Sequence, residues 1–277
     1  PAVTDHSLLG IDASVVAAEI FPLPILTSDN AAYAAPLDGW LTLRVGTQDG
    51  VPFAMAFPVL AHEFHHRVFH RNVFHDDATF ALWRERVTST DKNVKRGNRI
   101  MQGVDEGLAD LFSLAATGDP DGLRRIFTQA GGRFVAEGAR RALDGAFADA
   151  ATYDGLEHNQ LDATFLQACN SRGSDDLFAE DGFNFYCIGT VLARALWDGS
   201  DRDVTTLRTE VLPAVNAALP HLGDTLVSDD RLFDVDVLLA PLVDNIAPGA
   251  RRDAVCSALH ARFASVLDDG KVPSCSP

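Results

Sequence analysis

An apolar run, Val51 to Ala61, stops at His62-Glu63-Phe64-His65-His66, and this junction constrains the chain more than any other stretch. Pro58 suits the first turn of a helix, and Val59, His62, His66, Phe69 and Val73 then recur at spacings of three and four. On such a helix positions i and i+4 project from one face about one turn apart, so the rings of His62 and His66 can reach a single ion. Glu63 stands one step round, placed to reach a metal-bound water without itself ligating the metal.

A catalytic zinc takes three protein ligands and keeps a fourth position open for water, so a third ligand is expected downstream. One class of such sites reads His-Glu-x-x-His-x-x-Gly-x-x-His; here the last two of those positions are Phe69 and Asn72, which excludes it. Another class takes a glutamate from a second helix, with an aspartate one turn later. Asp105-Glu106-Gly107-Leu108-Ala109-Asp110 fits that pattern, because Glu106 and Asp110 share a helical face. Glu106 is then the third zinc ligand, and Asp110 accepts the free ring N–H of a histidine ligand and fixes its tautomer, with Asp105 as a second supporting carboxylate. Two bland alternatives are a chance match on a His-rich helix and an acidic helix start favoured by the dipole; the pairing of the two blocks weighs against both.

These blocks resemble those of the thermolysin-like and fungalysin-like zinc metallopeptidases, the gluzincins. A third block adds to the resemblance: Asn30-Ala31-Ala32-Tyr33 is similar to the Asn-Ala-x-aromatic edge strand with which that family holds substrate backbone, so Asn30 and Ala31 are expected to bind substrate by strand addition. A fourth, partial block runs from Tyr186 to Asp198 and resembles a fungalysin stretch that opens on histidine. The family's histidine helps stabilise the developing oxyanion; Tyr186 stands in its place here, and a phenol can donate the same hydrogen bond. His158 and Tyr153 are the reserve donors. The resemblance implies a zinc-dependent endopeptidase acting on peptides or proteins, with Glu63 as general base. The rival from another class is a zinc-containing peptide-binding protein without catalysis, supported mainly by the missing histidine; a purely structural helical protein is the third reading.

The rest of the chain frames this site. Its 277 residues suit one large domain or two lobes sharing a core. Strand signals at Trp40 to Val45, a turn at Gln48-Asp49-Gly50 and helical patterns later on predict an α+β, mostly α fold. Its expected parts are a strand-containing N-terminal lobe (residues 1–75) ending in the zinc-binding helix and a helical lobe (76–277) carrying the glutamate ligand. Helices are expected over Val104 to Thr117, Leu123 to Ala130, Ile188 to Trp197, Leu207 to Ala218 and Arg251 to Leu267, with 76 to 103 as a mixed-charge connection. The formal net charge of −16 argues against nucleic acid and anionic lipid as partners. No apolar run reaches the roughly 18 residues of a membrane span, and no signal segment is recognisable in this chain; the even number of cysteines leans towards export, so a soluble, exported, monomeric hydrolase is expected.

Cys169, Cys187, Cys256 and Cys275 form no Cys-x-x-Cys pair and allow three pairings; the short-loop choice joins Cys169 to Cys187 and Cys256 to Cys275, and the first of these would anchor the segment that presents Tyr186. His65, His70 and His75 read as solvent-facing. Lys92, Lys95, Arg96 and Arg99 read as a solvated basic face. Asp175, Asp176, Glu180 and Asp181 form an oxygen-rich cluster that suits Ca²⁺, although its spacing matches no EF-hand.

Overall fold

The computed structural model describes residues 31–34, 40–43, 56–89, 91–130, 134–157, 169, 185–228, 235–268 and 270–275. Two four-residue strands, β1 (Ala31–Ala34) and β2 (Trp40–Leu43), form an antiparallel hairpin with Ala31 opposite Leu43 and Ala34 opposite Trp40. All other regular structure among the described residues is helical. The α+β expectation is therefore corrected to a helical fold. The strand signals of the N-terminal stretch amount, within the described residues, to one hairpin, and two short strands are too few to make a sheet layer with its own core. Asn30, the turn at Gln48-Asp49-Gly50 and residues 51–55 lie outside the described residues.

The helices are α1 (Phe57–Val73), α2 (Asp77–Thr88), α3 (Lys92–Thr117), α4 (Gly122–Ala130), α5 (Phe134–Arg141), α6 (Ala146–Ala150), α7 (Tyr153–Glu157) and α8 (Phe185–Gly199). After them Val204–Thr206, Leu207–Val211 and Leu212–Ser228 run on as one rod, α9, whose middle segment is a π turn. Helices α10 (Val235–Asp244), α11 (Ala250–Arg262) and α12 (Ala264–Asp268) complete the chain, before a 3₁₀ turn at Pro273–Cys275.

Residues 76 to 103 are not a connection: they hold α2 and the first half of α3. The Asp91 side chain accepts from the Val94 N–H at 3.1 Å and starts α3 a full three turns before Val104. Gly118, at φ 74°, ends it, its N–H donating to the Leu114 carbonyl. The expected helix from Arg251 to Leu267 is broken at Phe263, which leaves helical geometry and buries its ring against Tyr153.

Helix α3 lies at the centre, with Leu108, Ala109, Leu111 and Ala115 fully buried, and packs on α1 and most extensively on α8. The α3–α8 crossing is backbone on backbone: a Cβ on Gly107 would stand 2.3 Å from the Gly189 carbonyl oxygen, and one on Gly189 would stand 2.7 Å from that of Gly103. Only glycine permits this approach, and it brings Glu106 and the start of α8 together. The hairpin strand β1 lies against α1. Arg194 of α8, 1 % exposed, donates to the Leu143 carbonyl at 2.7 Å, to Asp149 at 2.6 Å and to Asp198 at 2.9 Å, and so ties the turn after α5 to the central pair.

Disulfides join Cys169 to Cys187 and Cys256 to Cys275, closing loops of 18 and 19 residues; on the chain-entropy account each such loop contributes about 3 kcal/mol. No helix among the described residues is long and apolar enough to cross a membrane.

Candidate metal centre

Helix α1 enters the core with Pro58 in its first turn, where a missing N–H costs nothing. Its Pro58 carbonyl accepts from Ser113 Oγ of α3 at 2.8 Å, which fixes the two helices at the level of His62 and Asp110. His62, Glu63, His65 and His66 are all buried on α1.

The i, i+4 spacing does what helical geometry requires. His62 Nε2 and His66 Nε2 lie 3.0 Å apart. Glu106 Oε2 is 3.2 Å from His62 Nε2, and Oε1 is 3.7 Å from His66 Nε2. One ligand atom from each of the three residues falls within a sphere of 4.8 Å mutual distances, the only such group of His, Cys, Asp and Glu among the described residues. Tetrahedral coordination at ~2.05 Å separates two ligand atoms by about 3.3 Å, so the three donors fit a zinc-sized ion with shifts of a few tenths of an ångström.

The opposite ring nitrogens are held by carboxylates. His62 Nδ1 is 2.9 Å from Asp110 Oδ1, and His66 Nδ1 is 2.9 Å from Asp105 Oδ1. An ionised carboxylate only accepts, so both Nδ1 atoms carry the proton and both Nε2 lone pairs face the shared space. Burial opposes a charge on His66, but Asp105 and Glu106 outweigh it and lift the group to about 10. His62 is raised too: burial and Arg141 oppose its protonation, and the contacts to Asp110 and Glu106 overcome them. Asp105, Glu106 and Asp110 are all held below the usual carboxylate range despite burial, the first two chiefly by His66 and the third by Arg141. Such a pocket of ionised carboxylates calls for positive charge, and a divalent ion or protons on the histidines can each supply it.

Tyr186, half-buried at the start of α8, lies beside the centre: the Arg140 and Arg141 guanidinium carbons stand 4.8 and 5.0 Å from its ring centroid. Thr190 Oγ1, within reach of the Arg140 and Tyr186 carbonyls at 3.3 and 3.1 Å, links the end of α5 to the same turn. Tyr153 is instead stacked on Phe263 in the core. Ala31 begins β1, whereas His158 and the cluster Asp175, Asp176, Glu180 and Asp181 lie outside the described residues. Of the basic island, only the Arg99 side chain is among those described, and it is half-buried.

Two histidines expected to face solvent do not. His65 is fully buried, its ring against Phe112 and its Nε2 3.2 Å from Asn216 Oδ1 of α9; burial pushes its pKa down to about 4. It sits to one side of the metal donors on α1, between Phe112 of α3 and Asn216 of α9. His70 is only 21 % exposed, lodged against Phe74 and Trp83 with Nε2 3.5 Å from Asp105 Oδ2, so it shares that carboxylate with His66.

The residue that sequence reasoning missed is Arg141. Its Nη2 reaches Glu106 Oε2 at 2.9 Å and Asp110 Oδ1 at 2.7 Å and lies 3.0 Å from His62 Nε2, while Nε donates to both Asp110 oxygens at 3.1 Å. In the sequence it is one of two arginines closing a short helix, and only the folding of α5 onto α3 and α8 brings it inward. Compared with known proteins, the chain matches no family model, no curated protein and no solved structure.

Proposed function

We propose that this chain is a zinc-dependent metallopeptidase, with His62, His66 and Glu106 as metal ligands. The observation that carries the reading is the complete set: three ligand atoms gathered by two helices, with each histidine's far nitrogen held by its own carboxylate, Asp110 or Asp105. That the sequence places Glu63 directly after the first ligand, and that the fold buries it there, supports catalysis over a closed structural site.

A bound zinc ion would lower the pKa of water towards ~7 and polarise a scissile carbonyl. Glu63 takes the proton of the attacking water and returns it to the leaving amine. Tyr186 donates its phenolic O–H towards the oxygen that gains negative charge. Arg141 holds Glu106 and Asp110 in place. The β1 backbone against α1 supports strand addition by an extended peptide, which Asn30 and Ala31 would receive. Two disulfides support export of the protein.

The test is hydrolysis of casein or a quenched peptide by zinc-loaded protein, with and without a chelator. Chelator-sensitive cleavage supports the reading. One tightly held zinc without any cleavage supports the peptide-binding alternative instead, and a chain that takes up no zinc overturns both.

A further inference from the structure

Hydrogen bonds and an ion pair place the Arg141 guanidinium against metal-ligand atoms, and its surroundings leave it little freedom to withdraw. Asp110 grips its Nε and Nη2 as a fork, with contacts of 2.7 to 3.1 Å. The rings of Tyr186 and Phe127 cover it, the guanidinium carbon lying 5.0 and 5.6 Å from their centroids. Its side chain is 4 % exposed. The Nη2 so fixed lies 2.9 Å from Glu106 Oε2 and 3.0 Å from His62 Nε2, two of the three ligand atoms. The helix end that carries it is itself pinned, through Thr190 to the Arg140 carbonyl and Arg194 to the Leu143 carbonyl.

A fixed cation in that position acts in two opposed ways. It keeps Glu106, Asp110 and His62 gathered, because each has its acceptor turned towards the same nitrogen. It also draws on the lone pairs that a divalent cation needs and repels that cation at short range, where low local dielectric makes the repulsion strong. We propose that Arg141 is a built-in competitor of the metal, a positioning residue whose charge sets the zinc affinity of the centre below what its ligands alone would give. The proposal rests on the metal reading above and adds regulation of the same site: zinc is held in a form that can exchange.

Zinc affinity, measured by competition with a chromogenic chelator at fixed pH and ionic strength, tests it on the wild type, Arg141→Met and Arg141→Lys. The methionine side chain keeps the bulk and loses the charge that repels a divalent ion at short range, so zinc should bind about tenfold more tightly or better. Lysine keeps the charge without the fork and should stay within a few-fold of the wild type. Millimolar guanidinium should return the affinity of Arg141→Ala, whose short side chain leaves room for it, towards the wild-type value. A folded Arg141→Met chain with unchanged or weaker zinc affinity overturns the proposal, as does Arg141→Lys binding as tightly as Arg141→Met. Should the methionine variant not fold, Arg141→Ala refolded in guanidinium and then freed of it is measured by the same two criteria. A wild-type chain that takes up no zinc overturns the metal reading itself, and this proposal with it; zinc bound equally by all variants overturns this proposal alone.

Discussion

His62 and His66 turn their Nε2 atoms towards one another across 3.0 Å while Asp110 and Asp105 occupy the far side of each ring. Two lone pairs cannot share that gap without a positive charge between them. A proton on His66 supplies it, and a metal ion would supply it equally well, so the two compete for one place.

Zinc affinity should therefore rise with pH. His66 is raised from 6.5 to about 10 by Asp105 and Glu106 acting against burial. Its protonation stabilises the metal-free chain fully below pH 6.5, and that contribution disappears as pH climbs through about 10. Between those limits the proton must leave for zinc to bind, so the apparent affinity gains up to about tenfold per pH unit. Competition titrations from pH 6.5 to 9 check this; an affinity independent of pH would contradict it. In chelator, the same protein should melt at lower temperature at pH 10 than at pH 7.

Removal of a ligand should separate binding from folding. Glu106 lies at the edge of the buried cluster, and Glu106→Ala takes away one of three donors while leaving Asp110 to hold Arg141. Tight zinc binding should be lost with the helical circular dichroism retained. Unchanged metal content would remove Glu106 from the ligand set.

The crossing of α3 and α8 is the most sensitive contact behind the site. A methyl group on Gly189 would meet the Gly103 oxygen at 2.7 Å and the Gly107 nitrogen at 2.8 Å, both rigid helix backbone. Gly189→Ala should cost about 1–3 kcal/mol of stability and weaken zinc binding by moving Tyr186 and Arg141 relative to Glu106. Denaturant melts and the same zinc titration measure both effects, and a variant as stable as the wild type would show that the helices have room to part.

How much of this could be read from the residues follows from the range of each interaction. Glu106 and Asp110, like His62 and His66, are i, i+4 pairs, so one helical turn determines that they share a face, and the sequence exposes them. Arg141 lies 35 residues after Glu106 and Asn216 lies 151 residues from its partner His65; no local pattern encodes either meeting. The burial of His65 is hidden for the same reason: α3 and α9 both pack on α1, and a histidine between Phe64 and His66 carries no mark of which helix it will meet. The first half of α3 is hard to read because Lys92, Lys95, Arg96 and Arg99 precede Ile100 and leave Val94 as the one aliphatic residue among positions 92–99. The strand signal at Trp40 corresponds to a four-residue strand in a single hairpin, too small to carry a lobe of its own.

His65 also gives a prediction on the acid side. Burial holds it near 4, below its unfolded value of 6.5, so the stability it contributes is present above pH 6.5 and is lost as pH falls towards 4. In His65→Gln, which keeps an amide to pair with Asn216, the melting temperature should fall less steeply across that window than in the wild type. Parallel slopes would show that other groups carry the acid sensitivity.

The central claim is that Glu63 acts as the base beside a zinc held by His62, His66 and Glu106. Its most direct test is the rate of peptide cleavage by Glu63→Gln, compared with the wild type at equal, measured zinc content. Loss of cleavage by about 10²- to 10⁴-fold with one zinc per chain retained is the expected result; cleavage at the wild-type rate by the zinc-loaded variant would contradict it.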